Sequence, residues 1–164
     1  MPLAVQFYDV VVWLHVSAVV VAFGPTFGYA IFIAVTQRTD PRALPAVFRS
    51  MQTIDRTMVT IGGLVVLASG IYLAADGPWG FDDVFVGVGI VAVLVLLGMA
   101  HGAFVPGERR AEELSQRDAE AAGPGEVKLS EEFDRVNGRL AKLGTVAGLI
   151  VILTIYFMAA KPFL

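Results

Sequence analysis

Residues 7–36, FYDVVVWLHVSAVVVAFGPTFGYAIFIAVT, form the longest apolar run of the chain, and no charged residue follows Asp9 within it. A helix of this length, at about 1.5 Å per residue, exceeds the roughly 30 Å hydrocarbon core of a bilayer. Such a helix tilts or bends. Pro25 predicts a bend, because its nitrogen carries no hydrogen and its ring crowds the preceding turn.

The rest of the composition is also that of a membrane protein. Of the 164 residues, 56% are hydrophobic and only 16% are charged, whereas about 25% are charged in soluble domains. Four windows contain no charge, at residues 10–37, 57–75, 84–107 and 143–160. Their apolar runs are continuous rather than alternating, which favours helices over a barrel. The predicted fold is an all-α, integral membrane four-helix bundle.

We predict a single membrane domain over residues 1–164. Its helices are expected at about residues 7–36, 56–75, 83–105 and 131–160. A short interfacial helix is expected at about 41–53, because Asp40 followed by Pro41 is a typical helix start. Within the polar cytoplasmic segment 107–136, residues 108–121 are interpreted as a solvated extension of the third helix, polar on all sides, and a loosely ordered loop is the alternative. Ser130 is expected to cap the helix that follows.

The positive charges predict the orientation. Eleven of the 12 Lys and Arg residues lie in the two long connections and at the base of the fourth helix, and only Lys161 lies elsewhere. The positive-inside rule therefore predicts an N-out/C-out protein whose 1–2 and 3–4 loops are cytoplasmic. The N-terminal residues MPLAVQ lack the Lys or Arg of a signal peptide, so the first helix is expected to remain in the mature protein.

A polar stripe runs along the first helix. At about 100° per residue, its members fall within roughly 60° of one another; they are Tyr8, His15, Ala22, Thr26 and Tyr29. A polar group facing lipid has no partner, so the stripe is expected to face the bundle interior. We regard His15, Tyr8, Thr26 and Tyr29 as candidate binding residues.

His15 is the leading candidate for chemistry. A neutral imidazole in this position can ligate a metal or haem iron, relay a proton or bind a carboxylate. The alternative is a buried histidine that hydrogen-bonds a Tyr or Thr on a neighbouring helix. His101 is predicted to lie near the other end of a parallel helix, roughly 18 Å lower. The two histidines are therefore not expected to share a metal or haem iron.

Three glycine pairs have the spacing of membrane helix contacts: Gly24 and Gly28, Gly98 and Gly102, and Gly144 and Gly148. The first pair lies opposite the polar stripe. We therefore expect the chain to pack tightly and to contact a second copy or a larger membrane complex, besides the lipid bilayer.

Several functions are disfavoured. The chain has no cysteine, so thiolate metal sites and disulfides are excluded. It carries no HExxH motif, no phosphate-binding glycine loop and no basic stripe for nucleic acid. Nothing in it indicates a hydrolase or an NTPase.

The segment YDVVVWLHVSAVVVAFGPTF resembles the opening helix of a bacterial family of predicted integral membrane proteins, domain of unknown function 2269. More remotely it is similar to HemJ-like protoporphyrinogen oxidases and CopD-like copper-resistance proteins. In the HemJ-like group the histidine of the Leu-His pair is haem-associated. The resemblance implies a multi-pass protein of the bacterial inner membrane, with His15 as a ligand of haem b.

Three functions are compatible with these observations. The first is an accessory or interaction subunit that packs through glycine faces. The second is a haem- or tetrapyrrole-associated redox protein that uses His15. The third is a small-solute transporter, although no broken-helix repeat is visible in the sequence.

Overall fold

The computed structural model describes residues 6–162, and within that range the chain is helical without a β-strand. It contains four helices that are long and apolar enough to cross a membrane: α1 (Phe7–Thr39), α2 (Pro41–Asp76), α3 (Val84–Ala121) and α4 (Glu131–Ala160). The prediction of an all-α four-helix membrane bundle is confirmed.

The helices run up and down, so that sequence neighbours pack side by side. At one end, called the terminal end below, the ammonium of Lys161 lies 3.9 Å from the centroid of the Trp79 ring. The α1–α2 and α3–α4 connections lie at the opposite end, called the polar end. Contacts join α1 to α2, α2 to α3 and α3 to α4, whereas α1 and α4 meet chiefly at the turn Pro25–Gly28.

Three of the helices depart from α-geometry at internal turns. In α1, a 3-10 turn at Pro25–Gly28 separates two α-helical stretches, Phe7–Phe23 and Tyr29–Thr39. The missing N–H of Pro25 accounts for the change. The segments of α2 are, in order, Pro41–Ala43 (3-10), Leu44–Ile54 (α), Asp55–Val59 (π) and Thr60–Asp76 (α). Those of α3 are Val84–Met99 (α), Ala100–Phe104 (π) and Val105–Ala121 (α).

Local side-chain bonds fix two of the helix starts. The Arg42 backbone N–H donates to Asp40 Oδ1 over 3.1 Å at the start of α2. The Phe133 N–H donates to Ser130 Oγ over 3.3 Å at the start of α4. Each bond satisfies a donor that the first helical turn leaves free. Both caps were expected from the sequence.

The polar end has a hydrophobic core of its own, formed where the start of α2, the end of α3 and the start of α4 extend beyond the apolar windows. Its buried residues are Ile33, Leu44, Phe48, Met51, Ala111, Leu114, Phe133 and Leu140. The rings of Phe48 and Phe133 pack edge to face with centroids 5.9 Å apart. This geometry suits the ring quadrupoles.

The expectation that α3 is polar on all sides after residue 107 is therefore wrong. Glu108, Ala111, Leu114 and Ser115 are buried. Their spacing of three or four residues places them on one helix face. The stripe was inconspicuous in the sequence because only Leu114 is large and apolar. The opposite face remains solvated and carries the expected pair, with Arg109 Nε 3.2 Å from Glu113 Oε1.

Charged contacts hold the connection between α3 and α4. The Ser130 N–H donates to Asp118 Oδ2 over 2.8 Å, and Arg117 Nη2 lies 3.3 Å from Oδ1. Burial acts to raise the pKa of Asp118, but the contacts with Ser130 and Arg117 outweigh it and lower that pKa. The hydrogen bond from Arg110 likewise lowers the pKa of Glu132.

Arg42 fastens the end of α3 to the start of α2. Its guanidinium donates to three backbone oxygens, those of Gly123 at 2.6 Å, Gly125 at 2.7 Å and Ala119 at 3.3 Å. Carbonyls at a helix C-terminus lack partners and carry partial negative charge. The Arg42 guanidinium therefore supplies both the hydrogen-bond donors and the positive charge that these carbonyls lack.

Close helix contacts in the apolar half occur at glycines of α2. A Cβ built on Gly62 would lie 2.6 Å from the Ala22 Cβ of α1, and one on Gly63 would lie 2.8 Å from Leu97 Cδ2 of α3. A side chain at Gly62 would clash with Ala22, and one at Gly63 would displace the Leu97 side chain. Glycine at these positions lets α2 pack directly against both neighbours.

The glycines that the sequence singled out behave differently. Added Cβ atoms at Gly98, Gly102 and Gly144 would meet nothing within 4 Å, and those at Gly24 and Gly28 would meet only their own helix. A Cβ on Gly148 alone would touch another helix, 3.4 Å from Phe27 Cε1. These motifs therefore contribute little packing within the chain. Their role in contact with a second chain stays a prediction.

Candidate functional site

The irregular turns of α1, α2 and α3 lie near the boundary between the apolar windows and the polar end, and those of α2 and α3 are neighbours. The π-helical turns Asp55–Val59 and Ala100–Phe104 contact each other, and the first also contacts α1. Single π-helical turns are rare and occur frequently at functional sites. Three acidic or phenolic side chains lie at or just after these turns: Tyr29, Asp55 and Glu108.

Asp55 is paired across the bundle. It is only 3% exposed, and its Oδ1 accepts a 2.9 Å hydrogen bond from the Tyr29 hydroxyl. Asp55 opens the π-helical turn of α2, whereas Tyr29 follows the 3-10 turn of α1. The two irregular turns thus bring a phenol and a carboxyl into contact, with Oδ2 left for a further partner.

Glu108 is more deeply buried and has no such partner. It is 1% exposed, and no residue within 6–162 hydrogen-bonds either carboxyl oxygen. Burying an ionised carboxylate without a partner costs several kcal/mol in real proteins. Native proteins rarely leave buried polar atoms unsatisfied. The Glu108 carboxyl therefore either carries a proton or faces a cation.

A cavity of about 470 Å³ connects these groups. All four helices contribute to its walls, and Tyr29, Asp55 and Glu108 line it together with many apolar side chains. Its volume is within the range typical of small-molecule sites, which are mostly apolar with a few convergent polar groups. Sparse contact between α1 and α4 away from the Pro25–Gly28 turn leaves this side of the bundle open.

A second set of hydrogen bonds connects His101 of α3, Thr60 of α2 and the backbone of Asp55. His101 Nε2 is 2.9 Å from the Thr60 hydroxyl, which also donates to the Asp55 backbone oxygen over 2.8 Å. Thr60 therefore accepts from a protonated Nε2. The backbone oxygen of Asp55 thus accepts from both the hydroxyl and the backbone N–H of Thr60. The contact of His101 with Thr60 joins α3 to α2.

His15 lies elsewhere, between α1 and α2. Its Nδ1 is 2.9 Å from the Ser69 hydroxyl, which donates to the Val65 oxygen over 2.6 Å. The hydroxyl hydrogen is thereby used, so Nδ1 carries the proton that joins the pair. The contact is the one the alternative interpretation expected, a histidine bonded to a neighbouring hydroxyl, with Ser in place of Tyr or Thr.

His15 lies in a contact between two helices, and its role as a haem or metal ligand stays a prediction. Its ring edge packs on α2, where a Cβ on Gly70 would lie 3.1 Å from Cε1. His15 is not among the residues that line the cavity. Within residues 6–162, no three His, Cys, Asp or Glu side chains are placed to hold a metal ion.

The predicted stripe of α1 is divided between separate environments. Thr26 and Tyr29 line the cavity, with the Thr26 hydroxyl donating to the Phe23 oxygen over 2.6 Å. Tyr8 lies at the terminal end, where its ring approaches Gly77. His15 and His101 contact Ser69 and Thr60 of α2, which are about 13 Å apart at helical rise. The expected separation of the two histidines therefore agrees with their contacts.

Comparison with models of known protein families gives a match. Residues 9–162 match the model of a family described as predicted integral membrane protein, DUF2269. The chain belongs to the DUF2269 family. The match extends over all four helices, so these DUF2269 helices include every residue of the cavity. Neither the curated proteins nor the solved structures give a match, and the remoter HemJ-like and CopD-like resemblance stays a prediction.

Sequence reasoning missed the two carboxyls of this site. Neither Asp55 nor Glu108 stood out from the charged residues beside it in the sequence. One signal was present: Glu108, Ala111 and Leu114 share a helix face, and Asp55 extends the spacing of Leu44, Phe48 and Met51. Both carboxyls thus continue buried stripes.

Proposed function

We propose that this chain is a membrane-embedded binding protein that takes a small amphiphilic molecule from the bilayer into the cavity between α1 and α4. The observation that carries the proposal is a cavity of about 470 Å³ whose mostly apolar walls include the buried, unpartnered Glu108. An apolar pocket with convergent polar groups is the usual form of a small-molecule site.

The position of the cavity supports entry from the bilayer. Phe27, Ile152 and Leu149 line it and are also about half exposed on the apolar surface of the bundle. A molecule with an alkyl chain loses little by leaving lipid for such walls. Its polar group gains when it reaches hydrogen-bonding partners that hydrocarbon lacks.

Photolabelling tests the proposal. The protein is placed in nanodiscs of zwitterionic lipid with a decanol derivative that carries a diazirine, and labelled residues are mapped by mass spectrometry. We expect labelling at cavity residues that excess decanol suppresses. Gly144→Leu, which adds a side chain inside the cavity lining, is expected to abolish it.

The control is Gly138→Leu on the same helix, since Gly138 also has open space around its Cβ position but does not line the cavity. Its labelling is expected to match that of the unaltered protein. Uniform labelling of the lipid-facing surface, equal in both variants, would contradict the proposal.

A second candidate, the accessory or interaction subunit, is favoured by Gly98 and Gly102. Both lie on α3 with open space at their Cβ positions, and a bare GxxxG face suits close approach of another helix. Gly98→Leu is expected to dissociate a homo-oligomer or a co-purifying complex in native mass spectrometry. Val91→Leu, at an exposed position of the same helix, is the control; an unchanged assembly in Gly98→Leu argues against this candidate.

The transporter alternative needs no separate binding site, because it would use the same cavity and add a conformational step. A transporter of a small solute also begins by binding it, and it then needs a second arrangement of the helices that opens elsewhere. The cavity supplies the first requirement of that alternative.

A further inference from the structure

The ionisable side chains that line the cavity include two carboxyl groups. They belong to Asp55, at 3% exposure, and Glu108, at 1% exposure, and among residues 6–162 no Lys or Arg lines the cavity. Coulombic attraction is far stronger in such an enclosed site than in water. We propose that the ligand is an amphiphilic ammonium ion whose positive group is held between Asp55 and Glu108. This inference rests on the proposed function and names the ligand class of the same site.

The available acceptors match an ammonium group. Tyr29 occupies Oδ1 of Asp55, which leaves Oδ2, and both oxygens of Glu108 are unoccupied by described residues. An alkylammonium has three N–H donors. Burying Glu108 without a partner is costly, and an ammonium between the two carboxyls removes that cost.

A divalent metal fits less well. Calcium takes six to eight oxygen ligands, and magnesium keeps an octahedral shell with several waters. Within the described residues no third His, Cys, Asp or Glu joins the two carboxyls as a metal set. The remaining walls of the cavity are largely apolar, which suits the alkyl chain of an amphiphile.

Binding of the ammonium ion is coupled to a proton. In the empty cavity the neutral form of Glu108 avoids a lone buried charge. The exchange is Glu108–COOH plus R–NH3⁺ giving the ion pair Glu108–COO⁻ with R–NH3⁺, and one proton leaves to the solvent. The titratable residues that share the cavity with Glu108 are Tyr29 of α1 and Asp55 of α2. His101 of α3 lies outside the cavity lining and contacts Thr60 of α2, and the described lining residues of α4, such as Asn137, are uncharged.

Competition against the diazirine probe tests the charge preference. Decylammonium, decanol and decanoate share a chain length and differ in the head group. After correction for partition into zwitterionic nanodiscs, decylammonium is expected to displace the probe at about tenfold lower concentration than decanol, and decanoate to be the weakest. Glu108→Gln is expected to erase the preference for ammonium and to keep the competition by decanol.

The exposed residue Glu126 provides the matched control, since Glu126→Gln makes the same chemical change away from the cavity and is expected to keep the preference. Asp55→Asn is the second variant and is also expected to weaken the preference. Folding of each variant is checked by its helical circular dichroism and by gel filtration.

Calorimetry in buffers of different ionisation enthalpy counts the released proton. Decylammonium binding is expected to release about one proton and to tighten by up to about tenfold per pH unit while Glu108 titrates. Equal displacement by decylammonium and decanol, or an unchanged preference in Glu108→Gln, would overturn the inference and leave the cavity proposal intact. If none of the three compounds protected the cavity residues from labelling, the proposed function itself would be overturned.

Discussion

The Tyr29 hydroxyl donates a 2.9 Å hydrogen bond to Asp55 Oδ1, joining the turn of α1 that follows Pro25 to the π-helical turn of α2. Asp55 is almost completely enclosed. Without the phenol, its buried carboxyl would have no described side-chain partner. The bond therefore stabilises both irregular turns and shapes one wall of the cavity.

Tyr29→Phe is expected to destabilise the bundle by about 1–3 kcal/mol, because it leaves a buried carboxyl unsatisfied while changing the volume little. The measurement is unfolding in mixed micelles with increasing denaturing detergent. Tyr156→Phe, at a residue 56% exposed, is the control and is expected to be neutral. Equal stability of the two variants would contradict the importance of the bond.

Glu108→Leu is expected to stabilise the empty protein by about 1–3 kcal/mol while abolishing binding of the ammonium ligand, because it removes an unpartnered buried carboxyl. Residues that are needed for binding but lower the stability of the empty protein are typical of functional sites. Thermal unfolding in detergent measures the first effect.

The contrast is Glu112→Leu on the same helix. Glu112 accepts from Arg49 at 2.7 Å and from the buried Gln52 at 2.7 Å, so its loss is expected to destabilise. If both substitutions lowered the unfolding temperature alike, Glu108 would have a structural partner that our interpretation omits.

Arg42→Ala is expected to loosen the α3–α4 connection by releasing it from the start of α2, because the carbonyls of Ala119, Gly123 and Gly125 lose their shared donor. Exposure of Arg42 limits the effect to about 1 kcal/mol. Hydrogen exchange of residues 119–130 is expected to become several-fold faster. Arg56→Ala, at another exposed arginine of α2, is expected to leave this exchange unchanged.

Acid is expected to loosen the same link. The pKa values of Asp118 and Glu132 lie below their ordinary values, so these groups add stability that is fully present above the unfolded pKa values of about 4. That contribution is lost as the pH falls through the lowered folded values. Hydrogen exchange of residues 119–130 at neutral and acidic pH measures it, and Asp118→Asn is expected to reduce the difference. An unchanged pH dependence in that variant would assign the effect to other groups.

The four helices and the caps at Asp40 and Ser130 could be predicted because their signals are local. A charge-free window reports the length of a span, and a capping side chain bonds a backbone group two or three residues away. The partner of His15 was predictable only as a class of neighbour, since the rotation of α2 decides that Ser69 faces it.

The polar stripe of α1 singled out Thr26 and Tyr29, which line the cavity, but the two carboxyls of the site could not be predicted, because they are enclosed only when the polar end folds. Asp55 and Glu108 stand beside exposed charges in the sequence, and only the packing of α2 on α3 encloses them. Glycine spacing did not identify the close helix contacts within the chain for a related reason. Spacing places two glycines on one helix face, but helix rotation decides whether that face meets a neighbour, as it does at Gly62 but not at Gly98.

A native mass spectrometry titration with decylammonium shows directly whether the cavity between α1 and α4 binds an amphiphilic molecule. We expect one saturable molecule per chain in the unaltered protein and in Gly138→Leu, and none in Gly144→Leu. Adducts that increase in number without saturation, equally in all three proteins, would contradict it.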